Sequence, residues 1–91
     1  MEVVPAKASK TVRPSSPEEA LGIVLRQLRA AQNLSQDELA YRSGYHRNYI
    51  GHVERGEKSP SIRTLFNLAD ALSVKPSQIL ESTQMILARR K

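Results

Sequence analysis

The chain has no cysteine and no tryptophan. Without cysteine there is no disulfide framework, no zinc knuckle and no thiol nucleophile, which fits a reducing compartment. Its only aromatic residues are three tyrosines and one phenylalanine among 91 residues, so Leu, Ile, Val and Ala must build the core. No apolar run approaches the roughly 18 residues of a membrane span. The opening MEVVPAKASKTVRPSSP lacks the apolar stretch of a secretory signal. No alternating apolar and polar run reads as a strand. These absences lead to the expectation of one small, soluble, all-α domain in the cytoplasm, near the size at which a single core still folds unaided.

What is present begins with charge. The net charge is +5, and it sits at the two ends. Residues 1–16 set Lys7, Lys10 and Arg13 against Glu2, residues 17–74 balance, and residues 75–91 set Lys75, Arg89, Arg90 and Lys91 against Glu81. Basic ends suit a polyanion partner, and they suit solubility as well.

Residues 1–15 read as a disordered N-terminal arm, with Pro5, Pro14, scattered basic residues and no period. Ser16-Pro17-Glu18-Glu19 then gives a serine N-cap, a proline at the first helical position and a glutamate three after the cap. Leu21, Val24, Leu25 and Leu28 follow at helical spacing, and this first helix is expected to end near Gln32, with Asn33 in the turn. Ser35-Gln36-Asp37-Glu38 is a second capping box, and Ser43-Gly44 stops its helix after about two turns. A third helix is expected from Arg47 to about Glu54, with Ile50 and Val53 facing inward and Gly56 as its C-cap. Ser59-Pro60-Ser61 breaks the chain before a fourth helix carrying Ile62, Leu65, Phe66, Leu68, Ala69 and Leu72. Lys75-Pro76 starts a fifth with Ile79 and Leu80. The domain proper is set at residues 16–81, and residues 82–91 are taken as a C-terminal tail and dimerisation extension.

Two eight-residue helices around one glycine are too short to stand alone and need neighbours to cover their apolar sides. Small Ala40 admits a close crossing, and Gly44 admits the positive φ of a tight turn. That geometry is a helix-turn-helix, whose second helix can enter a DNA major groove.

The residues from Leu21 to Leu80 resemble the helix-turn-helix domain of the phage repressor and Cro family. The matching stretches include Leu21-Gly22, Leu28-Arg29, Leu34 to Ala40, Gly44, Tyr49-Ile50, Val53-Glu54-Arg55-Gly56, Pro60-Ser61, Thr64-Leu65, Leu68-Ala69 and Ala71-Leu72. The resemblance implies a compact five-helix domain and roles for particular side chains. Arg47, Asn48 and His52 fall where the family places base-reading groups. Chemistry agrees, since Arg forks onto guanine, Asn pairs with adenine, and His donates or accepts by tautomer. Gln36, Tyr49, Arg55, Lys58 and Ser59 fall at or near backbone-contact positions, with Gln36 also bracing the recognition helix. Arg29 and Glu54 match a partly buried ion pair that fixes the angle of that helix. Gly44 and Gly56 are the turn glycines. Tyr45-His46 departs from the usual apolar residue followed by Ser or Thr; His46 either meets a phosphate or merely occupies the cap.

Enzymatic readings find no support. His46 and His52 are six apart, the wrong spacing for two ligands on one helix turn, and no cysteine completes a zinc site. "GYHRNYIG" is not a phosphate loop, and no serine sits in a nucleophile elbow. No catalytic residue, metal or cofactor is expected. The expected function is sequence-specific transcriptional regulation, most simply repression, by a homodimer on double-stranded DNA of the nucleoid. Ile79, Met85, Ile86 and Leu87 are the candidate dimer residues, no membrane is involved, and the arm or tail is free for a protein partner. Two alternatives share this chemistry, an antitoxin of a toxin pair and a restriction–modification controller. A third, of a different class, is a protein-interaction module that kept the fold without binding DNA.

Overall fold

The computed structural model describes residues 14–89. The expected arm over residues 1–13, together with Arg90 and Lys91, lies outside the described residues. Five helices follow in order: α1 (Pro17–Ala31), α2 (Gln36–Ser43), α3 (Arg47–Glu54), α4 (Ile62–Ala71) and α5 (Pro76–Ala88). Each start has a local chemical cause. Ser16 Oγ accepts from the Glu19 amide at 3.1 Å, and Pro17 follows at the first helical position. The return leg of the expected capping box differs by one residue. Glu19 Oε1 accepts from the Ser15 amide at 2.8 Å and from its hydroxyl at 3.0 Å, which holds the Glu19 carboxyl below the usual range. At α2 the box is complete, with Ser35 Oγ on the Glu38 amide at 3.0 Å and Glu38 Oε1 on the Ser35 amide at 2.8 Å. Ser61 caps α4 through the Thr64 amide at 3.0 Å.

The core collects Leu21, Val24 and Leu25 of α1, Leu39 and Ala40 of α2, Ile50 and Val53 of α3, Leu65, Leu68 and Ala69 of α4, and Ile79 of α5. Leu34 and Leu72 join from the turns. Full burial of one such Leu or Ile contributes on the order of 1.5–3 kcal/mol, and this supplies α2 and α3 with the stability their length denies them. α1 packs on α5 and α3, while α2 packs on α3 and α4. The α1–α3 approach is close because position 22 is glycine: a Cβ there would stand 2.7 Å from the Val53 carbonyl oxygen. Gly44 at φ 81° and Gly56 at φ 77° turn the chain on either side of α3.

Two expectations about the C-terminal part need correction. α5 runs without a break past residue 81 to Ala88, with Thr83 buried and Ile86 against the core, so residues 82–88 are its second half and not a separate tail. Ile79 is wholly buried within the chain and therefore has no surface to offer a partner. Met85 is exposed, and Ile86 and Leu87 are half-buried. The larger exposed apolar groups sit elsewhere as well: Ile62 (69% exposed) and Phe66 (56%) point outward from α4.

Candidate nucleic-acid interface

α3 is amphipathic over only two turns. Ile50 and Val53, three apart, are 2% and 1% exposed and pin its inner side. The opposite side faces a shallow, open concavity of about 150 Å³, lined by Gln36, Arg47, Asn48, Gly51, His52 and Arg55. All three expected base readers thus converge on one depression, together with two of the expected backbone contacts. Gly51 forms its floor, since a Cβ there would lie 3.1 Å from an Arg55 guanidinium nitrogen and 3.8 Å from Gln36 Oε1.

The start of α3 explains how a histidine serves where relatives of the expected family have Ser or Thr. His46 is the N-cap, and its Nδ1 accepts from the Asn48 amide at 3.1 Å. That bond requires an unprotonated Nδ1, so a neutral His46 carries its hydrogen on Nε2. Of the two roles left open for His46, the structure gives it the cap. Tyr45, beside it, has a role the sequence reading missed. Its hydroxyl donates to Thr64 Oγ1 at 3.0 Å and accepts from Asn67 Nδ2 at 2.9 Å, tying the turn to α4. These bonds, from Thr64 first and then Asn67, lower the phenol from its usual range. Tyr49 is half-buried on the core against the Tyr45 ring, with centroids 5.4 Å apart. A stripe of tyrosines four apart was the available signal.

Charge around the concavity is partly neutralised from within. Arg47 Nε lies 3.3 Å from Asp37 Oδ1 of α2, in an exposed pair worth little on its own. Asn48 lines the concavity, and among the described residues its side chain makes no hydrogen bond. His52 Nδ1 lies 2.7 Å from Glu57 Oε1, and Arg55 Nε donates to Glu57 Oε2 at 3.0 Å. Arg55, and after it His52, holds the Glu57 carboxyl at about 2, while Glu57 raises the Arg55 guanidinium above its ordinary value. Lys58 and Ser59 are exposed on the loop beyond α3 and do not line the concavity.

The far end of α3 is held by a buried carboxylate. Glu54 is 4% exposed and accepts from Arg29 Nε at 2.7 Å and Arg29 Nη2 at 3.0 Å. Arg29 also donates to the Leu34 carbonyl at 2.9 Å, and its guanidinium is raised by the Glu54 hydrogen bonds. Gln36 Nε2 donates to Glu54 Oε1 at 3.0 Å, so the brace expected of Gln36 runs through this carboxylate. One acidic group therefore joins α1, α2 and α3. Among the described residues no group of three or more His, Asp or Glu could hold a metal ion, and no helix is long and apolar enough to cross a membrane.

Comparison with known proteins agrees with this architecture. The helix-turn-helix family model matches residues 25–79. The control protein C.SmaI of Serratia marcescens is 45% identical over 62 residues, covering 68% of this chain and 74% of that protein. Among solved structures, the restriction-modification controller protein C.AhdI from Aeromonas hydrophila is 43% identical with a TM-score of 0.66, over 67% of this chain and 92% of that one. The clp gene regulator ClgR from C. glutamicum is 30% identical with a TM-score of 0.79, over 84% and 99%. By its matched residues, its five helices and these relatives, the chain belongs to the helix-turn-helix family of phage-repressor and Cro type.

Proposed function

We propose that this protein is a sequence-specific DNA-binding regulator of transcription that inserts α3 into the major groove as a homodimer. The observation that carries the reading is the convergence of Arg47, Asn48 and His52 on one concavity, with Ile50 and Val53 buried directly behind. Arg47 and Asn48 read base edges, Gln36 and Arg55 flank them towards the phosphates, and Lys58 and Ser59 extend the backbone contact along the loop. An interaction module that had lost DNA would not need two arginines and an unengaged asparagine on this face. The protein acts in the cytoplasm, on nucleoid DNA, and is not an enzyme.

A single short helix reads only a few base pairs, so a two-fold pair is needed, with half-sites about one helical turn apart. The exposed apolar groups favour the outer face of α4, Ile62 and Phe66, as the surface for the second copy. Arg63 and Asp70, seven residues apart on α4, are exposed on the same side of the helix. Met85 on α5 is the other exposed candidate. Within this reading, control of a restriction–modification system is favoured over an antitoxin role, because relatives named as controllers reach 45% and 43% identity.

The experiment is selection of bound duplexes from a random pool, repeated with Arg47→Ala and Asn48→Ala. Each variant should relax preference at a defined, symmetry-related position by ~1–3 kcal/mol. Equal loss on selected and random duplexes would refute base reading by these residues.

A further inference from the structure

α3 ends in a Schellman turn. The Gly56 amide donates to the Val53 carbonyl at 3.0 Å and the Glu57 amide to the His52 carbonyl at 2.9 Å, with Gly56 at φ 77°. This turn returns the chain over the last helical turn and sets residue 57 beside residue 52. The contact between these two positions is commonly apolar. Here it is polar, Glu57 Oε1 to His52 Nδ1 at 2.7 Å. A carboxylate oxygen and a nitrogen lone pair cannot face each other at that distance without a hydrogen between them. The carboxylate has none, so the hydrogen is on Nδ1. Arg55 Nη2 also lies 3.3 Å from Nδ1, but a protonated Nδ1 has no lone pair to accept from it; Nη2 donates to Glu57 Oε1 at 3.2 Å and Nε to Oε2 at 3.0 Å. Arg55 therefore fixes Glu57, and Glu57 fixes His52.

We propose that Glu57 is a positioning residue for base readout: it holds His52 in the Nδ1–H tautomer, leaving Nε2 as a bare acceptor for a base that presents an exocyclic amine. In the major groove those amines are adenine N6 and cytosine N4, whereas guanine and thymine present carbonyl acceptors that the same nitrogen repels. The inference rests on the assignment of α3 as the groove helix. It adds to that assignment a rule for which bases His52 accepts, set by a residue outside the helix.

The test uses the full chain at about pH 8, where an ordinary imidazole is neutral, with Glu57→Ala and Glu57→Gln. Imidazole ¹⁵N spectra of the free protein, assigned by signal loss in His52→Ala, should show the Nδ1–H form. Glu57→Ala should shift it towards Nε2–H, and Glu57→Gln, whose amide oxygen still accepts, should restore it. On duplexes selected from a random pool by the wild-type chain, the position that becomes indifferent in His52→Ala should favour adenine or cytosine. Glu57→Ala should reduce that discrimination about fivefold, the worth of one net hydrogen bond, and Glu57→Gln should keep it. An Nε2–H wild-type spectrum, or a selected sequence whose discrimination survives Glu57→Ala, overturns the inference alone. A wild-type chain that selects no sequence overturns the groove assignment and the inference with it.

Discussion

Glu54 shows how much one side chain can carry in a small domain. Its side chain, 1% exposed, satisfies two Arg29 donors and the Gln36 amide, and Arg26 Nε stands 3.9 Å away. Removing it leaves the Arg29 guanidinium in a site only 16% exposed, with its main partner gone. Glu54→Ala should therefore lower the unfolding free energy by about 3 kcal/mol, read by urea denaturation, and should weaken DNA binding by freeing the end of α3. Glu57 is the opposite case, an exposed acid with strong partners. Its folded value of about 2 lies below the ordinary 4.5. A depressed carboxyl stabilises the fold above its unfolded value and loses that contribution as pH falls from about 4.5 to about 2. Glu57→Gln should flatten the dependence of thermal stability on pH within that window relative to the wild type. Because the group is exposed, the difference should shrink with added salt.

At the scale of the element, α3 is a helix assembled by its borders. Eight residues do not nucleate alone; His46 caps the start, Ile50 and Val53 bury the middle, and Gly56 turns the end. His46→Ala should cost about 1 kcal/mol, and His46→Ser should keep or improve stability, because Ser is the stronger cap. Denaturation curves and amide exchange along α3 measure both. If His46 also served a phosphate, His46→Ser would keep stability yet weaken binding to selected and random duplexes alike. α4 teaches a different lesson. Its apolar positions fit one helix, yet Ile62 and Phe66 fall outside the stripe formed by Leu65, Leu68, Ala69 and Leu72. Composition alone does not tell a core residue from an exposed one half a turn away.

At the scale of the molecule, the exposed faces of α4 and α5 are the two candidates for the proposed two-fold contact. Phe66→Glu should dissociate the proposed dimer in sedimentation equilibrium and reduce affinity for a two-fold site, while helicity stays intact because Phe66 is outside the core. Met85→Glu is the matched control on α5. Dissociation by Met85→Glu alone would move the interface to α5. The buried Ile79 is no longer a candidate in either case.

The sequence by itself determined the number and order of helices, because caps, prolines and turn glycines act within a few residues of where they stand. Ser16-Pro17, the Ser35 to Glu38 box, Gly44 and Gly56 each mark a boundary that the structure keeps. It also determined which side of α3 is apolar, since periodicity is a local property. The tertiary structure decided what depends on where elements meet. It gave His46 the cap, joined Gln36 to Glu54 across 18 positions, tied Tyr45 to α4, buried Ile79 in the core and folded Glu57 back onto His52. The Gln36–Glu54 and Tyr45–Thr64 bonds join groups 18 and 19 positions apart, which no spacing rule encodes, and the local His46 and Glu57 contacts depend on side-chain choices that spacing alone leaves open.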